Sequence, residues 1–104
     1  MIMIIPHKYV IYNIFRKGIY RIILLMSPKN IIGERVRLAR RRAKPPITQI
    51  DLAARLQTLG LQVDQAAVSR IESGSHEVTD VEVAIIAKAL GVTVGWLFGE
   101  NEEK

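Results

Sequence analysis

The sequence predicts an all-α protein, a bundle of five short helices. Three observations lead there. Apolar residues recur three and four positions apart in successive stretches, the spacing that gathers them on one side of a helix. Most of these stretches open on a Thr or Asp able to cap a helix and close on a Gly able to end one. No stretch reads as a strand, and there is neither an internal repeat nor a low-complexity tract. At 104 residues and 49% hydrophobic, a single domain with one compact core is expected.

Residues 1–25, MIMIIPHKYVIYNIFRKGIYRIILL, stand apart from the rest. They are rich in Ile and Tyr, carry scattered positive charge and have no helix caps. Lys8, Arg16, Lys17 and Arg21 interrupt them well short of the roughly 20 apolar residues a membrane span needs. No small-residue cleavage site follows, so a signal peptide fits poorly. The favoured reading is a mis-assigned start, with Met26 the first residue of the native chain. A basic amphipathic segment for a membrane or a partner is the alternative.

The first helix is predicted over 30–43, with Ile32, Val36 and Ala39 on its apolar side and Arg35, Arg37, Arg41 and Arg42 on the others. Pro45 and Pro46 stop it. Thr48 and Asp51 resemble a capping box for the second helix, although Asp is shorter than the usual Glu or Gln. Ile50, Ala53, Ala54 and Leu56 or Gln57 are its expected apolar positions, and Gly60 its stop. The third helix runs from an Asp64 cap to Ser73, with Gly74 beyond it. Thr79 and Glu82 form a full capping box for the fourth, which ends at Leu90 before Gly91. Its expected stripe is Val81, Ala84 or Ile85, and Ala87 to Leu90. Thr93 opens a last short helix carrying Trp96, Leu97 and Phe98. The bundle is thus expected over 31–99, with an acidic tail at 100–104.

Charge narrows the function. The formal net charge of +5 hides a split. Residues 27–72 sum to +5 and residues 73–104 to −4, so one part of the domain is basic and suited to a polyanion. With no cysteine, disulfides and thiolate metal sites are excluded. His7 and His76 have no partner at metal-ligand spacing. Neither a Gly-rich phosphate loop nor a nucleophile–base arrangement is present. The expectation is a protein that is not an enzyme and has no metal, cofactor or small-molecule ligand.

The third helix, DQAAVSRIESG with its cap and stop, carries the sharpest signal. Val68 and Ile71 share its buried side, which leaves Gln65, Ala66, Ser69 and Arg70 outward. Two short helices in succession, the second presenting small and polar residues, form a helix-turn-helix pattern. The major groove is roughly 12 Å wide and admits one helix with modest side chains. Ala66 and Ala67 permit close approach. Gln65 can bond adenine through two hydrogen bonds, and Arg70 can bond guanine in the same way.

IGERVRLARRR, TQIDLAARL, VSRIESG and VTDVEVAIIAKALGVTVGWLFGE together resemble the Cro/C1-type, or XRE, helix-turn-helix domain, a lambda-repressor-like bundle. The resemblance covers about residues 31–99. It implies that Thr48 and Gln49, at the start of the second helix, meet phosphate, with Gln49 also bracing the third. It implies that Gln65, Ala66, Ser69 and Arg70 face the bases, and that Ser75 and His76 lie on the sugar-phosphate backbone. It pairs Glu72 with an arginine of the first helix, Arg40 ahead of Arg42. Two stretches depart from the family's commoner pattern. QTLGLQVD is several residues longer, through an extended second helix or a looser turn, and KPPIT replaces a short Gly-containing turn.

Phosphate contact by Arg41 or Lys44 is expected beside a reading in which the run of arginines is a solvated face. One of the large residues of the last helix, Trp96 or Phe98, is expected to reach a second copy of the chain. The function expected is that of a cytoplasmic, bacterial or phage transcriptional regulator, a repressor, binding double-stranded DNA as a homodimer. Its rivals are the antitoxin of a toxin–antitoxin pair, a protein-interaction module that has lost DNA binding, and a membrane-associated regulator.

Overall fold

The computed structural model describes residues 28–100. Residues 1–25, with the question of a start at Met26, and the tail beyond residue 100 lie outside the described residues. Five helices follow in order, α1 (Gly33–Arg42), α2 (Gln49–Thr58), α3 (Gln65–Ser73), α4 (Asp80–Leu90) and α5 (Val94–Leu97), with no strand among the described residues.

Local chemistry sets the ends of these helices. The Asp64 carboxylate accepts from the Ala67 N–H at 2.9 Å and opens α3. Gly74 ends it at φ 84°, a left-handed position that costs glycine nothing and other residues a clash. Both capping boxes are present. Glu82 accepts from the Thr79 N–H at 3.0 Å, whereas the shorter Asp51 reaches the Thr48 N–H only at 3.4 Å.

The core is one cluster. Ile32 and Val36 of the α1 region, Leu52 and Leu56 of α2, Val68 of α3, Ile86 of α4 and Leu97 of α5 are almost fully buried. Each such aliphatic side chain contributes about 1.5–3 kcal/mol over exposure. α3 packs on both α1 and α2, and α4 lies across the same two helices on another side. α5 closes against α1 and α4.

Several expected positions are corrected. α1 begins at Gly33, not Asn30, because the Asn30 side chain accepts from the Ile32 and Gly33 N–H groups at 3.0 and 2.9 Å. An asparagine that bonds forward in this way turns the chain into the helix instead of joining it. On α2 the buried positions are Leu52, Ala53 and Leu56, while Ile50 is 63% exposed and Ala54 is exposed. On α4 they are Val83, Ile86, Ala87 and Ala89, while Val81 is exposed. In both helices, packing partners on two sides shift part of the apolar stripe from the positions that helical spacing alone predicts. Ala67 is buried with Val68 and Ile71, so of the two adjacent alanines only Ala66 faces outward.

The long connection between α2 and α3 is a looser turn, not an extension of α2. Gly60 at φ 96° turns the chain back. The Leu61 N–H then bonds the Leu56 carbonyl at 2.9 Å, the Gln57 amide donates to the Val63 carbonyl at 2.6 Å, and Val63 is buried.

Trp96 is also corrected. It does not stand out toward a partner, since only 5% of it is exposed. Its ring lies under the Arg35 guanidinium at 4.5 Å and near that of Arg42 at 5.9 Å. These cation–π contacts and its burial commit it to the α1–α5 contact. Phe98, 50% exposed, is the large residue of this region that faces outward.

Candidate nucleic-acid interface

At the crossing of α1 and α3 the core becomes polar. The Glu72 side chain has no exposed surface. Arg40 grips it twice, Nε to Oε2 at 2.6 Å and Nη2 to Oε1 at 3.0 Å, and its third nitrogen donates to the Ile47 carbonyl at 2.9 Å. Two parallel bonds of this kind match the fork of a guanidinium to a carboxylate. Arg37 adds a longer bond to Oε1 at 3.3 Å. Burial pushes the Glu72 carboxyl up, but the bonds from Arg40 and Gln49, the Arg40 charge and the bond from Arg37 together hold it below its usual value. Glu72 is therefore ionised near neutrality and accepts hydrogen bonds only.

That one-way character passes outward along a chain of side chains. Gln49, the first residue of α2, donates its Nε2 to Glu72 Oε1 at 3.1 Å. Its Oε1 is thereby turned to the other side, where it accepts from Gln65 Nε2 at 3.2 Å. Among the described residues, Gln65, the first residue of α3, is left with its own Oε1 and one N–H unbonded. An exposed amide with a fixed donor beside a fixed acceptor is the pattern that matches the N7 and N6 edge of adenine. A carboxylate in the core thus sets which way an amide on the surface points.

The outward side of α3 carries Gln65, Ala66, Ser69, Arg70 and Ser73, all exposed. Arg70 pairs with neither Asp64 nor Glu72 among the described residues, so its guanidinium is not spent on a neighbouring acid. Thr48 lies at the start of α2, its hydroxyl accepting from the Asp51 N–H. Ser75 is exposed and its hydroxyl lies 3.1 Å from that of Ser73, while His76 is half-buried just beyond. These residues gather around the two ends and the outer side of α3. Arg41 is exposed in the last turn of α1 and Lys44 is exposed beyond it. The Arg40 partner of Glu72 is in place, and Arg42, its alternative, lies by Trp96.

Two contributors have no obvious mark in the sequence. Gly33 is buried where α1 crosses the end of α3. A Cβ there would run into the Ile71 carbonyl oxygen and come within 2.6 Å of the Glu72 carbonyl oxygen. Asn30 is the second. Its Nδ2 donates to the Ile71 carbonyl at 3.1 Å and to the His76 carbonyl at 2.8 Å. A glycine at the start of a helix after an Asx residue was the available signal for both, but it is read as plain helix without knowledge of the crossing.

Among the described residues no cluster of His, Cys, Asp and Glu could hold a metal, and no helix is long and apolar enough to cross a membrane. A family model described as helix-turn-helix matches residues 38–97, more than half of the chain. No curated protein and no solved structure matches it.

Proposed function

The chain belongs to the Cro/C1-type (XRE) helix-turn-helix family of DNA-binding transcriptional regulators, and from that premise we propose a sequence-specific repressor that reads the major groove with α3. The observation that supports this most is the oriented amide of Gln65, exposed at the first turn of α3 and bonded through Gln49 to the buried Glu72. In this reading Gln65 takes adenine, Arg70 takes guanine or a phosphate, and Ala66 and Ser69 allow close approach. Thr48, Gln49, Ser75 and His76 lie along the sugar-phosphate backbone and fix the register, with Arg41 and Lys44 adding positive charge. Two copies joined through the exposed Phe98 read two half-sites. The protein acts in the cytoplasm, with control exerted through its abundance or a partner protein.

Selection of binding sites for the full chain from a random duplex pool, at near-physiological salt, tests the proposal. The expected result is enrichment of a short motif that the Gln65→Ala/Arg70→Ala double variant no longer selects, while its melting temperature stays within a few degrees of the parent. Retained selection by that variant would remove α3 as the reading helix. Weak binding without any enriched motif would favour a partner-binding role, such as that of an antitoxin.

A further inference from the structure

We propose that Lys29 is a phosphate-binding residue of the DNA interface, and that Asn30 is the positioning residue that holds it there together with the loop at residues 74–76. This rests on the reading of α3 as the DNA-reading helix and extends the interface to a segment outside the helix-turn-helix itself.

The segment ahead of α1 is bonded to the far end of α3. The Lys29 N–H donates to the Gly74 carbonyl at 2.8 Å. Asn30 spends its whole side chain on the same join. Its Oδ1 accepts from the first N–H groups of the α1 region, and its Nδ2 donates to Ile71 at the end of α3 and to His76 in the loop. A Cβ on Gly74 would lie 3.6 Å from the Asn30 carbonyl oxygen and 3.7 Å from Pro28, so residues 28–30 pack directly on the turn that ends α3. The strap and the loop therefore move as one piece.

Groove dimensions then place that piece. α3 has nine residues and is about 13 Å long, close to the roughly 12 Å width of the major groove. With Gln65 at the base edges, the opposite end of the helix arrives at a phosphate wall. Lys29 is exposed there and makes no ion pair among the described residues. Among the described residues, the elements joined here carry Arg70, one turn before Gly74 on α3, and Glu77, the exposed residue that follows the loop. A lysine tied by its own backbone to a loop on the phosphates reaches them without ordering a flexible arm, and it contributes charge without sequence information.

Equilibrium affinities across a series of salt concentrations test this, using the full chain, the duplex enriched from the random pool and a scrambled duplex of equal length. For Lys29→Gln, the slope of log affinity against log salt becomes shallower by about one unit. Both duplexes weaken by the same factor, the melting temperature does not move, and Lys29→Arg restores the slope. Asn30→Ser leaves a neutral side chain able to cap the start of α1 but without the amide that donates to Ile71 and His76. Its slope becomes shallower as well, at a temperature where the variant is fully folded by circular dichroism. A parental slope in Lys29→Gln overturns the contact, and a parental slope in Asn30→Ser overturns the positioning role. If the parent chain itself prefers no duplex, the reading of α3 fails and this proposal with it. Clear preference by the parent with unchanged slopes sinks the strap alone.

Discussion

The two ends of α3 are held in different ways. At its start, Gln65 is held by side chains, through Gln49 to Glu72 and on to Arg40. At its finish what is held is backbone, the carbonyls of residues 71–76. Gly33 lets α1 touch the carbonyls of Ile71 and Glu72, and Lys29 and Asn30 bond the turn beyond. A side-chain relay can be re-aimed by one substitution, so it suits the end that chooses a base. A join onto main-chain carbonyls does not depend on which side chains the end of α3 carries, so it suits the end that fixes where the helix sits. Glu72 belongs to both, its carboxylate in the relay and its carbonyl in the join.

The largest break in this comparison comes from that shared residue. Glu72→Ala leaves Arg40 buried without its partner, which costs about 3–5 kcal/mol, a large share of the stability of so small a domain. Urea titration followed by circular dichroism reads it directly. The acid profile separates the charge from the bulk. Because the folded carboxyl lies below its unfolded value, the stabilisation is complete above the unfolded value near 4.5 and is lost as pH falls through the lower folded one. The parent is expected to lose stability across that window, and Glu72→Gln to lose less of it there.

Next comes Gly33→Ala, which attacks only the backbone join. Its methyl has no room against two carbonyl oxygens, and overpacking of this kind costs about 1–3 kcal/mol. The same denaturation experiment should show the drop, and DNA affinity should fall equally for all sequences. An unchanged midpoint would mean that the crossing is not tight. Gln49→Ala is the mildest change and attacks only the relay. About 1 kcal/mol of stability is at stake. Its characteristic effect is on choice, since Gln65 is freed to turn its amide and the preference for adenine over guanine at one position shrinks. Competition binding with duplexes differing at that base measures it.

How much of this was legible follows the same division. Helix ends announce themselves through residues that act locally, as Asp64, Thr79, Gly74 and Gly91 do. The buried side of α3 was legible because Val68 and Ile71 are flanked by polar residues on the same short helix. The stripes of α2 and α4 were legible only in part, at Ala53, Leu56, Ala87 and Ala89. Ile50 and Val81 are as apolar as the residues that replaced them, and only the position of neighbouring helices decides which are covered. The size of Trp96 is visible in the sequence and points to a second copy, whereas the two arginines that cover it, 61 and 54 positions earlier, are not visible there. Asn30 and Gly33 look like ordinary helix in the sequence because their partners lie some forty residues on. A relay such as Gln65–Gln49–Glu72 needs three residues from two helices at once, so the family resemblance hinted at its parts while the geometry alone joined them.

The most direct test of α3 as the reading helix is a map of backbone amide shifts in the isotopically labelled full chain as the enriched duplex is added. The account predicts that the largest changes fall at residues 48–50, on Gln65, Ala66, Ser69 and Arg70, and at 74–76 with Lys29, while the acidic surface of α4 around Asp80 stays still. Changes centred on α4 and α5, with the outer side of α3 unmoved, would contradict it.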